Sequence, residues 1–396
     1  MRHIFTLIKE SVANEEKLTH LEHAEDHVLN AGADGYKHVK NTLNAVHKTL
    51  TGQKGGAALY EKMDGSPSIV FGHHPATGQF FVASKSAFNK EPKLNYDYDD
   101  VQKNHGHAPG LVNKLNLALY HLPKIAPKTG IYQGDVMHSG IASDTNPHGD
   151  VNSNGKVHSF KPNLVEYHAP ANSEEGQKLA QSQFGIAVHT GYKGGNFETM
   201  KADYDPDLSH FNQHPDVHLI NNKYDPSKSD YTPARQADFQ EHMAQADEVH
   251  RSMKPEDYKK IEPHLDHIKT YINKTVREGT TPNSSDLYDH VQTQHQKEIA
   301  KVKTPAAIDR KTQAMNTQLG TIRAHADTID KVFQIHQHLQ QAKDIQNHAM
   351  AVSPTFNTTI NGQPSKPEGY VAVVNNRPTK VVDRAEFSRQ NFAARQ

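Results

Sequence analysis

The chain has no cysteine and no tryptophan among its 396 residues. Without cysteine there can be no disulfides, no thiolate zinc sites and no cysteine nucleophile. No apolar run approaches the roughly 20 residues needed to span a membrane as a helix, so no membrane partner is expected. Residues 1–18 carry a short apolar stretch interrupted early by glutamate, which does not fit a secretory leader, and a cytoplasmic location is expected. Net charge is also missing: 44 Lys+Arg offset 45 Asp+Glu. Such a balance excludes a protein that coats nucleic acid by bulk charge, so any nucleic-acid contact must be local. The hydrophobic fraction is 35% and the mean hydropathy is −0.80. Both are low, yet regular apolar periodicity and near-zero charge argue for a folded chain of two or three domain-sized units. What the chain has in excess is histidine, with 29 copies.

Residues 1–55 read as helical. Thr19-His20-Leu21-Glu22 has the form of a capping box. Leu21, Ala24, Val28 and Leu29 follow on one face, with Gly32 and Gly35 as punctuation. A second amphipathic stretch runs from Tyr36 to Leu50, with Val39, Leu43 and Val46 at helical spacing. From Ala57 the period changes to that of strands: 58–63, 68–72 and 80–84, the last two joined by a turn at Pro75–Gly78. A helix is expected over 111–122, and further strands at 130–136, 164–167 and 185–188. Strands of this kind with helices outside them predict an α+β fold with an antiparallel sheet. Residues 233–352 are helical and rich in Gln and His, with 16 basic and 16 acidic side chains. Leu319, Ile322, Ala326, Ile329 and Phe333 form a stripe that needs a partner helix. This segment reads as an inserted helical bundle, suited to docking a protein partner. Strand character returns at 370–374 and 380–382, and residues 366–396 carry a net charge of +3, from six Lys/Arg against three Asp/Glu. The expected organisation is therefore 1–55, 56–232, 233–352 and 353–396.

The strongest local feature is Glu61-Lys62-Met63-Asp64-Gly65-Ser66-Pro67, at the end of one strand and before a hairpin. Five further segments follow in order. They are Phe81-Val82-Ala83-Ser84-Lys85-Ser86, Tyr132-Gln133-Gly134-Asp135, Leu164-Val165-Glu166-Tyr167, Pro367-Glu368-Gly369-Tyr370-Val371 and Lys380-Val381-Val382-Asp383-Arg384, the last followed by Glu386-Phe387-Ser388. The ordered set resembles the motifs of the covalent nucleotidyltransferases: ATP-dependent DNA and RNA ligases and mRNA capping enzymes. Together with Thr-His-Leu-Glu-His near the start, it resembles phage proteins with a ligase-like fold. The resemblance covers about 1–225 and 355–396 and leaves the helical segment unmatched.

The resemblance implies an antiparallel-sheet ligase adenylation core, ATP-grasp-like, with N-terminal helices. Lys62 would be the nucleophile that takes AMP from ATP. Asp64, Lys85, Glu368 and Lys380 would complete the catalytic set. Glu61, Gly65, Asp135, Tyr167, Gly369 and Arg384 would hold the nucleotide, with Tyr167, or His189 in its place, stacking on the base. Asp135 and Glu368 would serve Mg²⁺ or Mn²⁺. A lysine nucleophile must be neutral, so nearby cations or desolvation must lower its pKa. The sequence departs from the family in having Asp135 where glutamate is usual and Val382 where a second lysine is usual, with Arg384 as a substitute. About a dozen residues follow the fifth motif, where DNA ligases continue into an oligonucleotide-binding domain, so the expected substrate is RNA ends rather than DNA. The competing expectation is a nucleotide-binding or virion-associated phage protein that keeps the fold without turnover.

Other signals read as structural. His20 and His23, with Asp26 one turn on, have the spacing of a metal site, but two histidines three apart on a helix without a third defined ligand read as surface or capping residues. Asp97, Asp99 and Asp100 read as a charged helix start rather than an Mg²⁺ site. There is no phosphate-binding P-loop.

Overall fold

A computed structural model describes residues 21–143 and 146–384. Thr19 and His20 of the expected capping box, and Glu386, Phe387 and Ser388, lie outside the described residues. The chain is mixed α+β with antiparallel sheets, and it divides into two compact units. Of the described chain, the first comprises Leu21, 58–224 and 353–378, and the second comprises 22–57, 225–352 and 379–384.

The first unit holds the sheets. Its central sheet contains β2 (Ser68–His73), β3 (Phe80–Ala83), β4 (Ile131–His138), β8 (Phe184–Lys193), β9 (Lys201–Asp203) and β10 (Val217–Leu219). The order is β10-β8-β4-β2-β3, with β9 beside β8, and β10–β8 is a parallel pair. β2 is buried on both faces, which explains its unbroken apolar run. Ile69 and Phe71 pack with Val136 and Ile186 against Val112, Leu115 and Ala118 of the helix α3 (Pro109–His121). Val70 lies on the opposite face with Phe81, Ile131 and Tyr192. The preceding helix α2 (Tyr98–His105) begins at Asp97, whose side chain accepts from the Asp100 backbone N–H. The acidic run is thus a helix start, as its pattern predicts.

A second sheet joins β5 (Val151–Ser153), β6 (Val157–Phe160), β7 (Glu166–Pro170), β11 (Asn357–Ile360) and β12 (Gln363–Ser365), in the order β12-β11-β7-β6-β5. Between β7 and β8 runs the helix α4 (Glu174–Gln181). β1 (Ala58–Glu61) pairs antiparallel with β13 (Gly369–Val374). β14 (Arg377–Val382) turns back at Asn375-Asn376, both with positive φ, and passes into the second unit after Pro378.

The second unit is built on α1 (Asp26–Leu50), α5 (Pro233–Arg251), α6 (Pro255–Lys259), α7 (Leu265–Glu278), α8 (Ser284–Ala300), α9 (Pro305–Ala324) and α10 (Ala326–Met350). α1 buries Val28, Val39, Leu43 and Val46, and its path breaks at Ala31-Gly32. Gly32 has φ +53°, and a Cβ there would lie 2.8 Å from the Tyr258 Cβ, so only glycine fits the kink. α10 packs along α5, and Ile329, Val332 and Phe333 are buried. The sequence stripe from Leu319 to Phe333 is core packing divided between two helices, with His325 at the break.

An ion pair lies inside this unit. Lys343 Nζ is 2.8 Å from Glu25 Oε1 and 3.4 Å from Asp344 Oδ1, with the lysine side chain 0% exposed. Burial opposes charge on Glu25, but Lys343 outweighs it and holds the carboxyl below its ordinary value. Asp344 is pushed up to about 6 by burial against the attraction of Lys343. Replacing Lys343 by Met would strand the Glu25 carboxylate. We expect a loss of about 3–5 kcal/mol in denaturant unfolding, largely recovered in Glu25→Gln/Lys343→Met.

The histidines find their place in these interiors. Among the described residues His105, His121, His138, His158, His218, His264, His290 and His336 are buried, and several serve as hydrogen-bonding partners. Burial holds His23 and His121 at about 4, against 6.5 for a free imidazole. Between pH 6.5 and 4 the unfolded chain binds protons that the folded chain refuses, so stability must fall as pH falls through that window. A denaturation midpoint that stays flat from pH 6.5 to 4 would contradict this.

Candidate active site

The β1–β13 ladder pairs Glu61 with Tyr370, and the Lys62 backbone N–H donates to the Gly369 carbonyl at 2.8 Å. Two segments separated by 306 positions are thereby adjacent, and Lys62 Nζ lies 2.5 Å from Glu368 Oε2. The two side chains are 24% and 11% exposed, so the pair is half sheltered but open to a ligand. Gly369 has φ +136°, a conformation that favours glycine.

Two neighbours of Lys62, Glu61 and Asp64, support the backbone. Glu61 is buried, and its Oε2 accepts from the Thr355 backbone N–H at 3.1 Å. The Glu61 backbone is tied twice to Asn222, through its N–H at 2.7 Å and its carbonyl at 3.1 Å. Asp64 spends its carboxylate on Asn163 Nδ2 at 3.0 Å and the backbone N–H groups of Leu164 and Val165 at 2.9 and 3.3 Å. Its own N–H donates to the Tyr167 hydroxyl at 2.6 Å.

Tyr167 is a core residue, 3% exposed. It stacks on Phe160 with ring centroids 5.2 Å apart, and Phe356 packs edge-on against it. Burial pushes its phenol well above the usual value. In this arrangement its hydroxyl anchors the Lys62 loop, and its ring belongs to the second sheet's aromatic cluster. His189, by contrast, is 35% exposed and lies with its Nε2 3.5 Å from Asp135 Oδ1.

Gly65 is required by close packing. A Cβ there would lie 2.5 Å from the Asp135 Cβ and 2.6 Å from the Met137 Sδ. The absent side chain lets the loop lie on β4, where the Ser66 N–H donates to the Val136 carbonyl at 3.0 Å and the Val136 N–H to the Pro67 carbonyl at 2.9 Å. Asp135 is brought beside the lysine loop by the same contact. Burial pushes its carboxyl up, but the His189 hydrogen bond and charge, the Ser68 hydroxyl and the Lys62 ammonium hold it below its ordinary value.

Lys85 opens a single helical turn, Lys85–Phe88, immediately after β3, and is exposed. The registers Val70↔Ala83 and Ser68↔Asp135 put it at the same end of the central sheet as Asp135. Lys380 and Arg384 belong to the second unit. The backbone of Lys380 bonds to Glu22 and Ala24 there. Arg384 follows the end of β14 and holds Asp26 through two bonds of 3.0 and 2.9 Å, with Asn273 at 2.5 Å. Its guanidinium is therefore engaged within the helical unit, a use that the strand pattern did not suggest.

Residues 14–396 match a family described as a family of unknown function, DUF6267. The chain belongs to that family. No curated protein and no solved structure matches it. Among the described residues of this family member, no group of three or more His, Asp or Glu is arranged to hold a metal. No sequence signal points to the parts played by Asn163, Asn222 and Thr355, since each acts through a backbone or amide bond that exists only once distant strands meet.

The close approach at Gly65 makes a direct prediction. Gly65→Ala must push the loop off β4, and we expect a loss of roughly 1–3 kcal/mol of stability. Calorimetric melting that matches the wild-type protein would contradict it.

Proposed function

We propose that the chain is an ATP-dependent covalent nucleotidyltransferase, acting as a polynucleotide ligase on RNA ends or as a related adenylyltransferase. The observation that carries the reading is the 2.5 Å approach of Lys62 Nζ to Glu368 Oε2 at the join of β1 and β13. The residues that resemble the first and fourth motifs thus meet through strand pairing. Those resembling the second and third follow or lie in strands flanking β2, with Asp135 and Lys85 at one end of the sheet.

In this reading the Lys62 nitrogen attacks the α-phosphorus of ATP. The ammonium first gives up one proton to become the neutral amine; an N–P bond then forms, the P–O bond to pyrophosphate breaks, and a second proton leaves the nitrogen. Glu368 is the nearest base for that proton and holds the lysine in place. Lys85 is placed to meet phosphate charge. Magnesium commonly keeps several waters and uses one or two protein carboxylates with substrate phosphates, and Asp135 and Glu368 are donors of that type. His189, half exposed beside Asp135, suits contact with the ribose or base better than buried Tyr167 does.

A second reading, nucleotide binding without turnover, is favoured by the engagement of Arg384 with Asp26 and of Asp64 with residues 163–165. One experiment separates the two. Incubation with α-labelled ATP and Mg²⁺ should leave the protein one AMP heavier by intact mass, with no adduct in Lys62→Ala. Glu368→Ala should slow adduct formation by about 100-fold or more, the scale of a lost acid–base group. ATP binding by calorimetry with no adduct under any condition would establish the second reading.

A further inference from the structure

The first unit carries a recess on the α2–α3 face, apart from the Lys62 site. It has a volume of about 270 Å³ and is lined by Tyr98, Asn113, Asn116, Leu117, Tyr120 and His148. Among the described residues only three large apolar or aromatic side chains are mostly exposed, and two of them, Tyr98 at 53% and Tyr120 at 59%, line this recess. Their exposure is not compensated by polar bonding within the fold. Among the described residues, no hydrogen bond within the protein is made by the side chains of Tyr98, Asn113, Asn116, Tyr120 or His148, and the Asn116 Oδ1 is buried without a partner. Elsewhere in this unit asparagine amides are committed: Asn163 to Asp64, Asn222 to Glu61 and Asn146 to Ser139. The recess therefore gathers two exposed tyrosines and asparagine amides that make no hydrogen bond within the fold, with one face of the Tyr120 ring met by Lys124.

The geometry points to a docking site for an unpaired base of single-stranded RNA. A nucleobase offers a flat face for a tyrosine ring and an edge of donors and acceptors for asparagine amides, which can bond two such atoms at once. The volume lies just below the usual range of ligand pockets, roughly 300–1,000 Å³, and suits one ring system rather than a whole oligomer. The lining contains no carboxylate to repel a phosphate. One cation stands at its margin: Lys124 Nζ lies 4.4 Å from the centre of the Tyr120 ring while paired with Asp216 at 2.6 Å. A neutral lining with few free cations predicts affinity from stacking more than from charge, and hence a shallow salt dependence. This inference deepens the ligase reading by naming where a strand is held, and it rests on that reading for the choice of RNA.

Fluorescence anisotropy of a short labelled single-stranded RNA on the full chain, without ATP, tests it. Strand binding and lysine adenylation are then separate readouts, and either can fail alone. The wild-type chain should bind the strand. Tyr120→Ala should weaken binding roughly ten-fold or more, the scale of one lost base–aromatic stack, and Tyr120→Phe should retain it. A strand with abasic positions should bind the wild-type chain as weakly as the intact strand binds Tyr120→Ala. Because Tyr120 is exposed, matching melting curves will show that the alanine variant is folded. No strand binding by the wild-type chain would overturn the proposal. So would unchanged affinity in both Tyr120→Ala and Asn116→Ala, or binding of a neutral monosaccharide, lost in Tyr120→Ala, with none of the strand.

Discussion

The antiparallel pairing of β1 with β13 is the constraint on which the candidate site depends. It is a short ladder of four residue pairs, yet it joins the start of the first unit's chain to a strand that arrives only after the helical segment. Every feature of the lysine loop follows from that join. The Lys62 N–H meets Gly369, the Lys62 ammonium meets Glu368, and the buried Glu61 finds the Thr355 backbone. The next link is steric: because residue 65 has no side chain, the loop can lie on β4, and Asp135 enters the field of Lys62. Two close approaches, one hydrogen-bonded and one allowed by a missing Cβ, thus assemble side chains from three distant segments.

The supports around the lysine differ in kind from the groups that remain available. Asp64 and Tyr167 are spent on each other's segments, with their polar atoms bonded in the loop and the ring packed in an aromatic core. Groups used this way set geometry and contribute to rigidity, because leaving any of them unpaired in the interior costs more than the bond itself yields. Lys62, Lys85, Asp135, His189 and Glu368 keep exposure enough to meet a ligand. That division separates residues that hold the site from residues able to act in it.

The two units solve the problem of polar content differently. In the sheet unit, several histidines and tyrosines are absorbed as hydrogen-bonding members of the core. His218, for example, gives its Nε2 to Glu175 at 2.7 Å and meets His138 at 3.5 Å. In the helical unit charge itself is buried, with Lys343 between Glu25 and Asp344, and Arg384 and His336 on Asp26. The buried histidines therefore have a structural account: imidazole can sit neutral in an interior and still bond, which an ammonium or carboxylate can do only in a pair.

Much of the architecture was legible in the residues. Alternating or continuous apolar runs gave β2, β3 and β13 nearly to the residue, most of β4 and only the first part of β8, which continues to Lys193, and helical spacing gave α1, its break at Gly32 and α3. The short strands β5, β9 and β12 were not legible, because three-residue edges such as Lys201–Asp203 carry no periodicity and exist only through their partners. For the same reason the sequence could order Lys62, Lys85, Asp135 and Glu368 along the chain as candidates but could not say which would meet. It offered Tyr167 and Arg384 as nucleotide contacts. Packing decided that the tyrosine ring faces a core and that the guanidinium takes Asp26. Residue chemistry and local period are properties of the chain alone. Adjacency, burial and the choice among rival partners depend on strand register and tertiary packing, and only the folded structure settles them.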